Sequence, residues 1–145
     1  MKDKPILVSA CLLGLKTRFD AGDAYSKDAL ASLEGRVIIP VCPEQLGGLP
    51  TPRPRAEIRE GGGADVIEGR AGVIDENGRD VTAAFMRGAS EVLKVARLTG
   101  AAEAYLKEKS PSCGVESIKA GSNTIAGSGV TAALLERSGL TIKGF

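Results

Sequence analysis

The sequence predicts an α/β fold: a Rossmann-like, mostly parallel sheet flanked by helices, with a small inserted β-hairpin. Two unbroken apolar runs, PILVSA at 5–10 and RVIIPVC at 36–42, have the character of parallel strands buried on both faces. Between and after such runs, apolar residues recur at helical spacing, so that strands and helices alternate in the order that builds βαβ units. At 145 residues the chain has the length of one domain with a single core, and residues 1–145 are expected to form one unit.

Each element follows from its residues. After the first strand comes a loop, CLLGLKTRFDAGDAY, and then Ser26, an N-cap for a short helix that carries Leu30 and Leu33 and stops at Gly35. In the second strand Pro40 suggests that the end leaves the hydrogen-bonded ladder. The stretch PEQLGGLPTPRPRAE, with four prolines and two adjacent glycines, predicts a stiff extended loop with no helix. Residues 56–78 read as a β-hairpin or a pair of short strands, AEIRE and DVIEGR followed by GVIDENGR, with Asn77-Gly78 as a turn. Asp80 or Thr82 then caps the longest helix, whose inner face is Phe85, Ala89, Val92, Leu93 and Ala96 and whose end is Gly100. AEAYLK forms the third core strand. Residues 115–129 are Gly/Ser-rich and read as irregular. TAALLERS gives a last helix closed by Gly139, and TIKGF a final strand.

Composition narrows the function. A formal net charge of +1 gives no argument for nucleic acid, an anionic membrane or an acidic partner. The apolar run behind MKDK is too short to span a bilayer, and three cysteines make no complete disulfide framework. Both observations predict a cytoplasmic protein with reduced thiols and no membrane association.

The cysteines carry the chemistry. Cys11 follows the first strand, Cys42 ends the second, and Cys113 lies in the loop after the third. All three are expected at the carboxyl ends of parallel strands, where open α/β sheets bind ligands. A free cysteine is among the most often buried residues, so each one alone reads as core; Cys42 within VIIPVCP fits that description. Cys113 within SPSCG does not, and three cysteines at one edge read as a shared site. The absence of histidine from the sequence rules out the usual Cys–His nucleophile. A closed structural zinc site commonly uses close C-x-x-C pairs, which are absent. What remains is a metal centre with an open position: an iron–sulfur cluster with three thiolates and one free iron, or a three-cysteine zinc with water in the fourth place.

Several segments, in order through essentially the whole chain, carry a resemblance. These are VSACLLG with Arg18-Phe19-Asp20, PVCPEQLGGLPTPRPRAEI, GRDVTAAF, LKEKSPSCG and GVTAALLERSGL, and with them the sequence resembles the TudS-like thiouracil desulfidase family. The resemblance implies a [4Fe-4S] cluster bound by three cysteines, here Cys11, Cys42 and Cys113, with one open iron. It implies non-redox removal of sulfur from a thiolated nucleobase such as 2-thiouracil, giving the oxo-base and hydrosulfide, and it carries catalytic positions onto Glu44 and Ser110. The expected partner is a small thiolated base or nucleoside, and thiolated RNA stays within the same substrate class. Lys16-Thr17 stand where many relatives carry a further cysteine, which implies that this position is not an obligatory cluster ligand. From the residues alone, other readings stand beside this one. They are an accessory module that binds zinc or a thio-base without turnover, and a sulfur carrier with persulfide on Cys113. Arg18 and Asp20 are expected to pair and fix the first loop, and Arg53, Arg55, Lys107 and Lys109 to ring the pocket with positive charge. Phe19 or Tyr25 is placed to stack on a pyrimidine, and Gly47-Gly48 to make a tight turn or to approach the cluster or substrate closely.

Overall fold

The computed structural model describes residues 4–145; residues 1–3, which hold some of the charges ahead of the first apolar run, lie outside it. The first half contains β1 (Ile6–Ser9), a 3-10 turn (Ala10–Leu13), α1 (Lys27–Ser32), β2 (Ile38–Val41), α2 (Pro43–Leu46), β3 (Ala56–Arg59), α3 (Gly63–Ile67) and β4 (Gly72–Asp75). The second contains α4 (Thr82–Thr99), β5 (Glu103–Leu106), β6 (Ser117–Ala120), β7 (Asn123–Ala126), α5 (Val130–Arg137) and β8 (Thr141–Gly144). Among the described residues no helix is long and apolar enough to cross a membrane.

The central sheet has the order β2-β1-β5-β8, and every pairing in it is parallel. The chain runs outward from β1 to β2 and then returns to the other side of β1 for β5, so the direction of winding reverses between β1 and β5. In open parallel sheets that reversal leaves a crevice at the carboxyl ends of the two strands. All of β1 is buried, and its side chains alternate as strand geometry requires. Leu7 packs with Val92, Ala96 and Leu135 of α4 and α5 on one face; Ile6 and Val8 pack with Ala29 and Leu33 of α1 on the other. Each of these large apolar side chains contributes roughly 1.5–3 kcal/mol by leaving water. A further cluster of Ile58, Val66, Val73, Phe85, Ala89, Ile118 and Val130 attaches the β3–β4 region and the β6 strand to the helices.

Several sequence expectations hold. Ser26 caps α1 by accepting from Ala29 N at 3.1 Å, the apolar face of α4 is buried as predicted, and Gly100 ends α4 in the left-handed conformation. Others are corrected. β2 is an edge strand with exposed Pro40, which the edge tolerates because that position needs no second ladder. PEQL forms a one-turn helix, since Pro43 occupies the first helical position, where its missing N–H costs nothing. The residues between β3 and β4 form the helix α3 rather than a strand. Gly62 N donates to Asp65 Oδ2 at 2.9 Å and starts it, while β3 and β4 still pair antiparallel. The Asn77-Gly78 turn is present, but it follows β4 and leads back to a single bridge between Ile74 and Asp80. Residues 117–126, read as irregular, form an antiparallel hairpin of β6 and β7. The N-cap of α4 is Val81; Asp80 Oδ1 accepts from Thr82 N at 2.9 Å, and Thr82 Oγ1 is used elsewhere, accepting from Val73 N.

One packing contact fixes where α2 points. A Cβ on Gly88 would lie 2.0 Å from Pro43 O, and one on Gly47 would lie 2.1 Å from Ala84 O, so the backbones of α2 and α4 touch directly. Gly47 therefore serves the approach of two helices and not of a ligand, with φ of −79°. Gly88→Ala is expected to force α2 away from α4 and to cost about 1–3 kcal/mol, as overpacking does. Denaturant unfolding checks this, and a variant as stable as the parent would contradict the contact.

Candidate active site

The three cysteines converge. Cys11 sits in the 3-10 turn after β1, Cys42 is the N-cap residue of α2 directly after β2, and Cys113 lies in the loop after β5. Together with Glu44 and Ser110 they line one cavity of about 320 Å³ at the carboxyl edge of the sheet. That volume lies at the lower end of the range of small-molecule sites. Cys113 is buried, and Cys11 and Cys42 are half-buried.

Glu44 stands in the first turn of α2, and its carboxylate is held from two sides. Arg53 Nη2 lies 3.7 Å from Glu44 Oε2, and Cys42 Sγ lies 4.0 Å from Glu44 Oε1. Arg53 is itself anchored: Nη2 donates to Thr17 O at 3.0 Å, Nη1 donates to Thr51 Oγ1 at 3.0 Å, and its backbone N donates to Phe19 O at 2.8 Å. Expected at the rim, Arg53 proves buried, and it ties the loop after β1 to the proline-rich segment. Burial pushes the Glu44 carboxyl above the usual range, and the Arg53 guanidinium opposes that shift without cancelling it. A carboxyl whose pKa is raised in this way accepts a proton more readily than an exposed one.

The SPSCG loop is built around its side chains. Ser110 Oγ accepts from Ser112 N at 3.1 Å and from Cys113 N at 3.0 Å. With both lone pairs engaged, the hydroxyl has one proton left, and that proton can only be donated. Ser112 Oγ and Thr131 Oγ1, both buried, bond at 2.8 Å and dock the loop on α5. Gly114 and Gly129 permit the closeness: a Cβ on the first would meet Ser117 O at 2.1 Å, and one on the second Ser112 O at 2.4 Å. From beneath, Glu108 Oε1 accepts from Val115 N at 2.9 Å, Glu116 N at 3.1 Å and Ser117 N at 3.2 Å. Ser9, the last residue of β1, is 2% exposed, and its Oγ accepts from Lys107 N at 3.0 Å.

Burial and the Glu44 charge raise all three thiols: Cys11 to about 11, Cys42 in the same direction, and Cys113 well above its ordinary value. Lys107 and Arg18 oppose the shift at Cys11, and the Ser9 hydroxyl opposes it at Cys113. Such thiols are poor free nucleophiles, because the thiolate is the reactive form. This weighs against persulfide carriage on Cys113. The same thiols ionise on meeting a metal, whose charge replaces the missing counter-ion.

Arg55, Lys107 and Lys109 line the cavity as expected, joined by Arg18, Arg79 and Lys119. Lys107 is half-buried, which lowers its pKa, and its Nζ donates to Glu108 O at 3.0 Å. Phe19 forms part of the wall with the Arg55 guanidinium 4.9 Å and that of Arg18 5.5 Å from its ring centre. Tyr25 is 56% exposed and outside the cavity, so of the two aromatics only Phe19 reaches the site. The expected Arg18–Asp20 pair is also corrected: Asp20 is exposed and its Oδ1 accepts from Gly22 N at 2.9 Å, closing a local turn, while Arg18 turns to the cavity. Sequence reasoning missed Ser9, Glu108 and the buried pairing of Arg53. Ser9 and Glu108 lie inside segments singled out for other residues, VSACLLG and EKSPSCG, and no local pattern marks their distant partners.

The chain matches the 2-thiouracil desulfurase family over residues 6–143. A curated relative, the uncharacterized protein YbbK of Bacillus subtilis (strain 168), is 42% identical over 140 residues, covering 94% of this chain and 93% of that protein. Among solved structures, a [4Fe-4S]-dependent thiouracil desulfidase, TudS, superposes with a TM-score of 0.83 at 42% identity, covering 98% of this chain and 91% of that chain.

Glu108→Ala removes the acceptor shared by three consecutive amides. Leaving these groups unsatisfied is expected to cost about 1–3 kcal/mol and to speed hydrogen exchange at Val115, Glu116 and Ser117 ahead of the amides of β1. Unchanged exchange at those three positions would contradict this role for Glu108.

Proposed function

The chain belongs to the 2-thiouracil desulfurase family, and from that membership we propose that it hydrolyses the C=S bond of a small thiolated base or nucleoside, 2-thiouracil-like, in the cytoplasm. Cys11, Cys42 and Cys113 would hold a [4Fe-4S] cluster, with Glu44 and Ser110 acting on substrate. The observation that carries this reading is the meeting of all three cysteines with Glu44 and Ser110 in one cavity. The donor set supports it: three sulfurs without histidine suit iron–sulfur chemistry, and soft ligands favour a thiophilic centre. When bound, the cluster would supply an iron with a free position, a Lewis acid matched to a thiocarbonyl sulfur.

The protein's own groups account for the proton movements. Glu44 takes a proton from water as the water oxygen bonds to the thiocarbonyl carbon, and Arg53 keeps the carboxylate turned into the cavity. The Ser110 hydroxyl donates its remaining proton to the substrate or to the charge developing on it. As the C–S bond breaks, Glu44 returns that proton to the departing sulfur, the second proton of the water is lost to solvent as the carbonyl forms, and the products are the oxo-base, hydrosulfide and a proton. Water replaces sulfur without net oxidation or reduction, so no nicotinamide or flavin takes part.

Anaerobically reconstituted protein given 2-thiouracil is expected to form uracil and hydrosulfide one for one with no added reductant. Glu44→Gln should lower kcat by about 10²–10⁴, and Ser110→Ala by about 10², each with iron content unchanged. Wild-type turnover in Glu44→Gln would remove the carboxylate from the mechanism. No hydrosulfide from the iron-loaded parent would reject this substrate class.

A further inference from the structure

Among the described residues, three other than glycine hold φ in the left-handed region: Ala21 at 63°, Glu60 at 68° and Lys109 at 68°. Of these only Lys109 lines the cavity. Its conformation is imposed by the backbone around it. Lys109 N donates to Ser117 O at 3.0 Å and Lys109 O accepts from Lys119 N at 3.1 Å, a bridge to β6 that turns the chain leaving β5 into the Ser110 loop. A residue with a Cβ adopts this conformation at a cost that glycine does not meet. Nothing in the core offsets that cost, because Lys109 is exposed and belongs to none of the hydrophobic clusters. No carboxylate offsets it either. None of the ion pairs among the described residues includes Lys109, and its ammonium bonds to no protein group there, whereas Lys107 gives its Nζ to Glu108 O at 3.0 Å. The backbone at this position calls for glycine, and the chain keeps a cation at the cavity instead. Strain of this kind concentrates at functional sites.

We propose that Lys109 is a catalytic residue: its ammonium meets the negative charge that builds on the thiolated base as water adds to the thiocarbonyl carbon, and the lysine is retained there at a loss of stability. The proposal deepens the desulfurase reading and rests on it. When Glu44 takes a proton from the attacking water, one negative charge is left spread over the adduct. Ser110 offers that charge a single O–H, and Lys109, the residue before it, brings a whole positive charge and stays protonated throughout. A neutral base gains little from a nearby cation and the charged adduct gains much more, so the contribution falls on kcat rather than on KM.

The test compares the parent with Lys109→Gly, Lys109→Gln and Lys109→Arg. For each full chain it measures the denaturant midpoint, the iron content after anaerobic reconstitution, and kcat and KM with 2-thiouracil. Lys109→Gly and Lys109→Gln both lack the charge and differ in the Cβ, so the pair separates conformation from chemistry. The expected result is a higher midpoint for Lys109→Gly than for Lys109→Gln and the parent, with iron unchanged in all. Both uncharged variants should lose kcat by about 10–10², less than for a buried donor because Lys109 is exposed, with KM nearly constant, and Lys109→Arg should recover most of the loss. Parent-level kcat in either uncharged variant overturns the catalytic role, as does a loss confined to KM or a loss that tracks missing iron. A midpoint for Lys109→Gly no higher than that of Lys109→Gln overturns the trade of stability for function. An iron-loaded parent that releases no hydrosulfide rejects the desulfurase reading, and this proposal with it, whatever the midpoints show. If Lys109→Gly does not fold, the conformation is not strained and that half of the proposal fails; Lys109→Gln and Lys109→Arg then decide the catalytic half.

Discussion

The parallel pairing of β1 with β2 on one side and β5 on the other is the constraint from which the rest of the site follows. The winding reverses at β1, and the chain leaving each of these three strands carries one cysteine to the same cavity. A cluster of distant thiols needs no C-x-x-C spacing if the fold does the gathering. The separations of 31 residues between Cys11 and Cys42 and 71 between Cys42 and Cys113 are each spanned by a return to the same sheet edge.

Backbone contact then converts this coarse gathering into defined geometry. Gly47 and Gly88 bring α2 against α4, which sets Cys42 and Glu44 relative to the sheet; Gly129 seats the Cys113 loop against the start of α5 in the same way. Neither contact survives a methyl group. The polar network completes the frame: Arg53 links Glu44 to the loop after β1, Glu108 holds the residues after Cys113, and Ser9 spans the strands. The groups proposed to act on substrate, Glu44 and the Ser110 proton, are fixed by their neighbours, and such preorganisation costs no rearrangement at the moment of reaction.

The core strands and the two long helices were legible because burial on both faces, or on one helical face, leaves a strong pattern in residues such as Ile6–Val8 and Phe85–Ala96. α2 was obscured by reading Pro43 as a breaker when it stands at the helix start. α3 was obscured by Val66 and Ile67, which favour strands but here obey the Gly62–Asp65 cap. The β6–β7 hairpin has an entirely exposed second strand, so no alternation marks it. At the site, the residue types were legible and their partners were not. Ser9 and Lys107 stand 98 positions apart, and Arg53 stands 36 from the Thr17 carbonyl it grips. Only the folded chain pairs them.

The central claim is that Cys11, Cys42 and Cys113 together hold a catalytic cluster, and the most direct measurement is iron and acid-labile sulfide per chain after anaerobic reconstitution, for the parent and for each cysteine replaced by serine. The account predicts about four irons and four sulfides in the parent, with both the cluster and hydrosulfide release lost in every single variant. A variant that keeps its iron and its turnover would contradict the three-thiolate site.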